Sequence, residues 1–331
     1  MNTSLVSVII PTYNRAKILK YAIDSVFAQT YKNIQVIVVD DGSTDATAEL
    51  MKQFPQVEYV IQPHAGQAAA RNMGLKHAKG TIIASLDSDD VWHPDFLQKC
   101  VDKLEGEKLD FVFTNWLQYS ESWGPTDFLS DDPDLTPYFK RSSGDWITLS
   151  PAEARKLYLS TCPSPSSSVV MRKSSIVSGW DETIIIGDDW CMYLDMILAK
   201  ECKVAFTLQV LWKKRVDALN IFDGRKRNEI LKYLYIEDSK TMLKKFRDVL
   251  FPKEIRQLEK RYIESLVELA KHEILREQNF AEANRLIKVG FELDKLYTIQ
   301  MIPYVLLVGI NRRIDAVKVK AAQKKHFQTA A

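Results

Sequence analysis

Residues 5–14 of the chain are LVSVIIPTYN, residues 34–43 are IQVIVVDDGS and residues 81–90 are TIIASLDSDD. Each stretch is a short β-branched run that ends in polar residues, and stretches with helical periodicity separate the three. This alternation is typical of a parallel sheet covered by helices. Similar runs over 57–61 and 111–114 continue the series, so the sequence predicts a doubly wound α/β fold for the first 116 residues.

The composition limits what the chain can be. Its 331 residues are 46% hydrophobic, which is enough for one large domain and a smaller appendage. The 45 basic and 43 acidic residues nearly cancel, so the overall charge does not favour a nucleic-acid partner. The four cysteines lack metal-binding spacing, no cleavable signal peptide is recognisable, and no apolar run approaches the roughly 20 residues of a spanning helix. We therefore expect a cytoplasmic protein that does not cross a membrane.

The rest of the chain is predicted to complete the sheet and then become helical. Residues 119–168 are rich in Ser, Pro, Asp and aromatics, which predicts irregular loops that shape a pocket. Two further strands and an intervening helix are expected over 169–171, 204–208 and 188–199. The predicted domains are 1–220, with halves 1–116 and 117–220, and a helical extension 221–331. Within the extension we expect a helical hairpin over 254–278 and 281–293 and then a basic tail.

Polar clusters follow three of the predicted strands. Pro11-Thr12-Tyr13-Asn14 follows the first strand, Asp40-Asp41-Gly42-Ser43 the second and Asp87-Ser88-Asp89-Asp90 the fourth. Ligands of open α/β sheets bind beyond the carboxyl ends of the strands, so these clusters are expected to meet at one edge. The alternative is that they are ordinary turns, with Asn14 and Ser43 capping the helices that follow.

Asp87 and Asp89 form the predicted metal site. Carboxylates at i and i+2 in an extended segment point the same way, so this pair can flank one divalent cation. Mg²⁺ and Mn²⁺ favour such oxygen ligands, with substrate phosphates completing the coordination. The alternative is a solvated acidic loop without a cation.

A third acidic pair, Asp188-Asp189, opens the predicted helix over 188–199. One interpretation is that either residue simply caps the helix, which stabilises a helix by about 1 kcal/mol. The other is that one of them is a proton acceptor; a carboxylate at a helix start is a weak base. The residues alone leave both interpretations open.

Longer stretches resemble the nucleotide-sugar domain of glycosyltransferase family 2. They are VSVIIPTYNRAKILKYAIDSVFAQTY, IQVIVVDDGSTDAT and HAGQAAARNMGLKHAKGTIIASLDSDDVWHPDFL, followed downstream by SSSVVMRK, GWDE and GDDW. The resemblance implies a Rossmann-like, A-type glycosyltransferase (GT-A) core and an inverting, metal-assisted reaction. It also implies a nucleotide-sugar donor, UDP-linked in our prediction, Mn²⁺ or Mg²⁺ as cofactor, and a glycan or lipid-linked acceptor.

The resemblance also assigns roles to individual residues. Those expected to contact the donor are Pro11, Thr12, Tyr13, Asp40, Asp41, Arg71 and Asp87. The metal pair would be Asp87 and Asp89, and Asp189 would be the general base. Asp188, which stands where the family usually has Glu, is expected to be catalytic together with Asp189. The residues expected on the acceptor side are Trp180, Asp181, Glu182 and Trp190. In this interpretation, residues 1–116 bind the donor and residues 117–220 bind the acceptor.

Two departures qualify this resemblance. Many relatives carry a histidine in a segment like YRxHxxN, whereas residues 214–220 here are KRVDALN, with Asp217 near the histidine position, so the third metal ligand is left open. The chain also lacks a QxxRW block, which favours a single-transfer enzyme over a processive synthase.

Two alternative functions and one further partner complete the predictions. Asp87-Ser88-Asp89-Asp90-Val91 also fits the DxDx(T/V) motif of haloacid-dehalogenase-like phosphatases, and a non-catalytic module that binds sugar nucleotide or glycan is the other alternative. The tail NRRIDAVKVKAAQKKHF is basic and follows an apolar stretch. It is expected either to bind the inner face of a membrane peripherally or to pack on the core.

Overall fold

The computed structural model describes residues 3–120, 123–140, 144–216 and 224–328. The chain forms two compact units, Met1–Gly224 and Arg225–Ala331. Asp217, the residue near the expected histidine position, lies outside the described residues.

The first unit alternates strands and helices along the chain. Its strands are β1 Val6–Thr12, β2 Ile34–Asp40, β3 Glu58–Ile61, β4 Ile82–Ser85, β5 Val91–Trp92, β6 Phe111–Ser120, β7 Trp123–Asp127, β8 Ile147–Leu149, β9 Val169–Arg172 and β10 Val204–Arg215. Its helices are α1 Leu19–Phe27, α2 Thr47–Met51, α3 Gln67–His77, α4 Phe96–Gly106, α5 Thr136–Phe139, α6 Pro151–Ser160 and α7 Asp188–Ala199.

These strands form one sheet in the order β3-β2-β1-β4-β9-β6-β10-β5, with β7 beside β6 and β8 beside β10. The strands β3, β2, β1 and β4 are parallel, whereas β9 runs antiparallel to both β4 and β6. Every residue of β1 is buried, as expected for a central strand covered on both faces. The carboxyl ends of β1, β2 and β4 therefore lie at one edge, which is where the polar clusters begin. The predicted α/β class with a GT-A-like core is confirmed.

The prediction of irregular loops over 119–168 is wrong. The end of β6, the whole of β7, α5, β8 and α6, and a 3₁₀ turn at Ser166–Ser168 lie in this range. The sequence contained a signal for α6: Ser150 and Glu153 form a reciprocal capping box around Pro151 at the helix start. β10 also continues to Arg215, beyond the predicted end at residue 208, because its second half pairs with β6 and β5.

Ser43 does not cap the second helix, which begins only at Thr47. Its hydroxyl instead accepts a hydrogen bond from the backbone N–H of Asn14, at 2.8 Å. Asn14 has a positive φ of 53° and accepts a hydrogen bond from the N–H of Thr44. The two loops after β1 and β2 are thus fastened to each other by their polar side chains rather than by helix caps.

The second unit is helical. Its elements are α8 Arg227–Ile230, a π-helical segment Leu231–Asp238, α9 Ser239–Phe246, α10 Pro252–His272, a second π-helical segment Glu273–Glu277 and α11 Phe280–Gln328, which is interrupted at Asp294. Tyr262, Leu266 and Ala270 of α10 form a buried cluster with Ala283 and Leu286 of α11. Gln278 adopts the left-handed conformation at the turn between these helices, so the predicted helical hairpin is present. Among the described residues, no helix combines the length and apolar character needed to cross a bilayer.

Candidate active site

The acidic cluster after β4 forms a tight turn. The N–H of Asp90 donates to the carbonyl of Asp87 at 3.1 Å, so the segment is not extended as predicted. The carboxylates still converge, because the turn brings one oxygen each of Asp87, Asp89 and Asp90 within 4.8 Å of one another. The predicted pair is therefore a group of three, and Asp90 is the member that the i, i+2 argument missed.

Asp90 gives the strongest indication that this group fits a cation. Its side chain is buried, and its Oδ1 has no hydrogen-bond partner within the described residues. Burial, together with the negative charges of Asp89 and Asp87, raises the pKa of Asp90 well above its usual range. A set of three carboxylates suits a hard cation such as Mg²⁺ or Mn²⁺, which would relieve this repulsion. The residues present thus fit the cofactor that the resemblance implies.

Arg71 connects the acidic turn to the start of α7. Its guanidinium is buried and contacts Asp87 Oδ1 at 2.7 Å, Asp188 Oδ2 at 2.6 Å and Asp189 Oδ1 at 3.5 Å. Although burial opposes its charge, the three neighbouring carboxylates raise the pKa of Arg71, so it stays cationic. The resemblance implies that Arg71 contacts the donor; what the structure shows is that Arg71 bridges the two acidic clusters.

Asp188 is the buried member of the acidic pair. Its carboxylate is buried and accepts hydrogen bonds from Arg71 and from Gln67 Nε2, the latter at 2.8 Å. Burial raises the pKa of Asp188, while the charge of Arg71 opposes that rise. The resemblance implies a catalytic role for Asp188, but its contacts are those of a side chain that holds Arg71 and Gln67 in place.

Asp189 is the accessible member of the pair. Its side chain is 19% exposed, against 1% for Asp188. The helix cap is Gly187, which has no side chain to donate or accept, so neither aspartate occupies the N-cap position. The carboxylate of Asp189 instead accepts hydrogen bonds from Ser166, from the N–H at 2.9 Å and from the hydroxyl at 2.6 Å. The N-cap interpretation is therefore wrong, and Asp189 has the exposure that a proton acceptor needs.

The predicted donor-side residues gather at the ends of β1 and β2. The N–H of Asp41 donates to the carbonyl of Thr12 at 2.9 Å, and Arg15 contacts Asp89 at 3.5 Å, which links all three polar clusters. Tyr13 is 43% exposed and stacks on His64 with ring centroids 4.2 Å apart, so it offers an aromatic face at this edge. His64 is not among the residues that the sequence predicts for this site.

Asp40 and Asp41, at the end of β2, are buried, and their carboxylates accept hydrogen bonds from other groups of the chain. Asp40 accepts hydrogen bonds from the N–H of Ser43 and from the hydroxyl of Tyr59. Asp41 holds the loop before α3 through the backbone N–H groups of residues 65 and 66. Pro11 and Thr12 lie buried at the end of β1, and Thr12 Oγ1 has no partner within the described residues. These predicted donor-side residues are therefore mostly buried, and their contacts hold the ends of β1 and β2 and the loop before α3.

Of the predicted acceptor-side residues, the two tryptophans are buried and the two acidic residues lie nearer the surface. Trp180 and Trp190 are buried core residues, and the indole of Trp190 donates to the carbonyl of Tyr158. Asp181 accepts hydrogen bonds from Thr183 at the surface, and Glu182 accepts one from Asn72 at 2.9 Å. The two tryptophans are therefore too buried to present their ring faces at the surface.

Comparison with known sequences identifies the family. The sequence profile described as "Glycosyl transferase family 2" matches residues 7–174, half of the chain, and the chain belongs to that family. Membership excludes the phosphatase alternative. The family match also covers the first two polar clusters, Arg71, the acidic turn and the Ser166–Ser168 segment.

Two curated relatives show how far the likeness extends. Glycosyltransferase GlyG of Streptococcus pneumoniae is 35% identical over 156 residues, which are 44% of this chain and 52% of that protein. The putative teichuronic acid biosynthesis glycosyltransferase TuaG of Bacillus subtilis is 32% identical over 139 residues, 40% of this chain and 55% of that protein. The matches thus span about half the length of these relatives.

Solved structures share the fold across nearly the whole chain. S. aureus TarS 1–349 in complex with UDP-GlcNAc has a TM-score of 0.57 at 16% identity and covers 91% of this chain and 90% of that one. The mannosyltransferase PcManGT from Pyrobaculum calidifontis in complex with GDP-Man and Mn²⁺ has a TM-score of 0.55 at 18% identity, covering 95% and 88%. At these identities the likeness establishes the fold.

Proposed function

We propose that the chain transfers one sugar from a nucleotide diphosphate sugar, UDP-linked, to a hydroxyl of a glycan or lipid-linked acceptor, with inversion at the anomeric carbon. One observation carries this proposal: a group of three carboxylates that fits a divalent cation is joined through Arg71 to the more exposed Asp189. Family membership and the UDP-GlcNAc and GDP-Man complexes of the structural neighbours support a nucleotide-sugar donor.

In this mechanism the acidic turn would hold the divalent cation that pairs with the diphosphate of the donor. Asp87, Asp89 and Asp90 would coordinate Mg²⁺ or Mn²⁺, which when bound supplies charge stabilisation for the departing diphosphate. The aromatic face of Tyr13 would stack on the base, above the buried acids Asp40 and Asp41. These residues fix the donor so that its anomeric carbon faces Asp189.

Asp189 then acts on the acceptor. Its carboxylate takes the proton of the acceptor hydroxyl while that oxygen forms a bond to the anomeric carbon. The bond from the anomeric carbon to the diphosphate oxygen breaks, and its electron pair leaves with the nucleoside diphosphate. Attack from the face opposite the leaving group inverts the anomeric centre. A carboxylate with two hydrogen bonds from Ser166 still has lone pairs for this proton.

The direct test combines a donor panel with one variant and its control. We expect release of nucleotide diphosphate from one of the sugar donors, dependent on Mn²⁺ or Mg²⁺ and abolished by chelator. Asp189→Asn should retain donor binding by calorimetry and lose transfer by roughly two to four orders of magnitude. Asp195→Asn, on the same helix and hydrogen-bonded to Ser178 away from the site, should transfer at the wild-type rate.

Two results would contradict the proposal. Donor binding without any turnover would favour the non-catalytic binding module, the remaining alternative. Transfer by Asp189→Asn at the wild-type rate would remove Asp189 from the mechanism while leaving the transferase intact.

We further propose that this reaction takes place in the cytoplasm, with the tail bound peripherally to the inner face of a membrane. The support is its sequence, in which six basic residues follow an apolar stretch, since each cation near anionic lipid contributes about 1 kcal/mol. In co-sedimentation with anionic vesicles, Lys318, Lys320, Lys324 and Lys325→Gln together should reduce binding at least tenfold. Equal sedimentation of both chains would favour a tail packed on the protein. The same vesicles without anionic lipid provide the control.

A further inference from the structure

The segment between α6 and β9 contains three serines in one turn of 3₁₀ helix, Ser166–Ser168. All three are buried, with Ser166 1% exposed. Pro165 precedes the turn, and its carbonyl accepts hydrogen bonds from both the N–H and the hydroxyl of Ser168. The turn therefore closes through Ser168, which leaves the polar groups of its first two serines available for other elements.

These two serines bind the two acidic clusters separately. Ser166 donates its N–H to Asp189 Oδ2 and its hydroxyl to Asp189 Oδ1. Ser167 donates its hydroxyl to Asp90 Oδ2 at 2.6 Å and accepts a hydrogen bond from the N–H of Asp87 at 3.0 Å. The indole of Trp92 donates to the carbonyl of Ser167 at 2.7 Å and anchors the turn. Adjacent residues of one short turn thus hold the proposed base and the proposed metal turn.

We propose that Ser166 is a positioning residue for Asp189; the inference rests on the proposed function, in which Asp189 is the base. A single carboxylate can rotate about two side-chain bonds, and only some of its orientations direct an oxygen at the acceptor. Two hydrogen bonds from one residue, one to each oxygen, fix both rotations. Hydrogen bonds to a charged acceptor are among the stronger ones in proteins.

The same contacts are not required for the helix or the turn to form. The helix α7 begins at Asp188 with Gly187 as its cap, so Asp189 makes no cap interaction there. The turn keeps its internal bonds through Ser168, and β9 pairs with β4 and β6 by its own backbone. The Ser166 hydroxyl makes its described hydrogen bond with Asp189. Its role is thus local to the proposed base.

The test compares Ser166→Ala with Ser168→Ala in the full chain. Ser166→Ala removes one charge-assisted hydrogen bond, so we expect kcat for transfer to fall by about 10- to 100-fold. Its KM for the donor and its Mn²⁺ affinity by calorimetry should change by less than about twofold, because Ser167 still holds the metal turn. Ser168→Ala loses a neutral hydrogen bond of the same turn, to the Pro165 carbonyl, but its N–H still donates to that carbonyl, so it should keep the wild-type kcat.

A near-isosteric variant separates positioning from packing. Ser166→Cys fills the same space with a weaker donor, so its kcat should lie between those of the wild type and Ser166→Ala. Wild-type kcat in Ser166→Ala would overturn the inference, as would equal losses of kcat in Ser166→Ala and Ser168→Ala. If the proposed function itself is wrong, the wild-type protein will transfer no sugar. That result would contradict the inference about Ser166 as well, and it differs from wild-type kcat in Ser166→Ala.

Discussion

Ion pairs in the two units of the molecule differ in their exposure to solvent. In the first unit, Arg71 and Asp188 are buried side by side and contact each other at 2.6 Å. In the helical unit, Arg285 and Glu282 pair at the same distance, but their side chains are 60% and 32% exposed. Distance alone therefore does not distinguish the two ion pairs. Their exposure to solvent distinguishes them, because the Arg71–Asp188 pair is buried and the Arg285–Glu282 pair lies at the surface.

The physical reason is the cost of moving charge out of water. A buried charge that loses its partner keeps its desolvation penalty, whereas an exposed one is solvated again. Arg71 touches three carboxylates, so its removal would leave uncompensated charge at the proposed base and at the metal turn. Three substitutions would test how far this contrast extends.

The largest effect is expected for Arg71→Met. It deletes the buried cation that faces Asp188 and Asp87, and breaking such a network typically costs about 3–5 kcal/mol. Urea unfolding should show this loss in the free energy of unfolding, and sugar transfer should disappear. Lys295→Met, on the surface of the helical unit, is the matched control and should unfold like the wild type. If Arg71→Met lowers the free energy of unfolding by less than about 1 kcal/mol, the buried network stabilises the fold no more than a surface ion pair does.

A smaller effect, dependent on pH, is expected for Asp110→Asn. Asp110 accepts hydrogen bonds from Lys200 at 2.6 Å, from the N–H of Lys203 and from Ser175. Burial works to raise its pKa, but these donors outweigh it and the pKa of Asp110 is lowered. The group is thus ionised more readily in the folded chain, and its stabilisation is present above the pKa of the unfolded chain.

This stabilisation should be lost as the pH falls through the folded-state pKa of Asp110. Asp110→Asn should therefore lower the free energy of unfolding by about 1–2 kcal/mol at neutral pH. Wild type and variant should converge only below the lowered folded-state pKa of Asp110, where the group is protonated in both the folded and the unfolded chain. Thermal unfolding across a pH series measures the difference. A constant difference at every pH would mean that packing, not charge, is what the variant loses.

The smallest effect is expected for Glu282→Gln in the helical unit. The pair with Arg285 is spaced i, i+3 on an exposed helix surface, and such pairs contribute about 0.5 kcal/mol or less. We expect a barely measurable change in the midpoint of urea unfolding, abolished at high salt. A loss as large as that of Asp110→Asn would contradict the contrast between the two units.

Much of the fold follows from local sequence. The β-branched runs placed β1, β2, β3 and β4 within a residue or two of their observed ends, because a buried strand requires such residues whatever surrounds it. The strand predicted over 111–114 instead continues to Ser120. The region over 119–168 was missed because its short strands lack an alternating pattern, although the capping box at Ser150 was visible.

The sequence by itself determined the α/β class, the three polar clusters at the strand ends and the acidic pair at the start of α7. Strand periodicity and chain order are enough for these, since each is set within a few neighbouring residues. Only the tertiary structure decided what those residues touch. Arg71 meets Asp188 across 117 positions and Ser167 meets Asp90 across 77. Neither contact can be read from the spacing of nearby residues, because the burial of a side chain and its hydrogen-bond partners depend on how distant segments pack together.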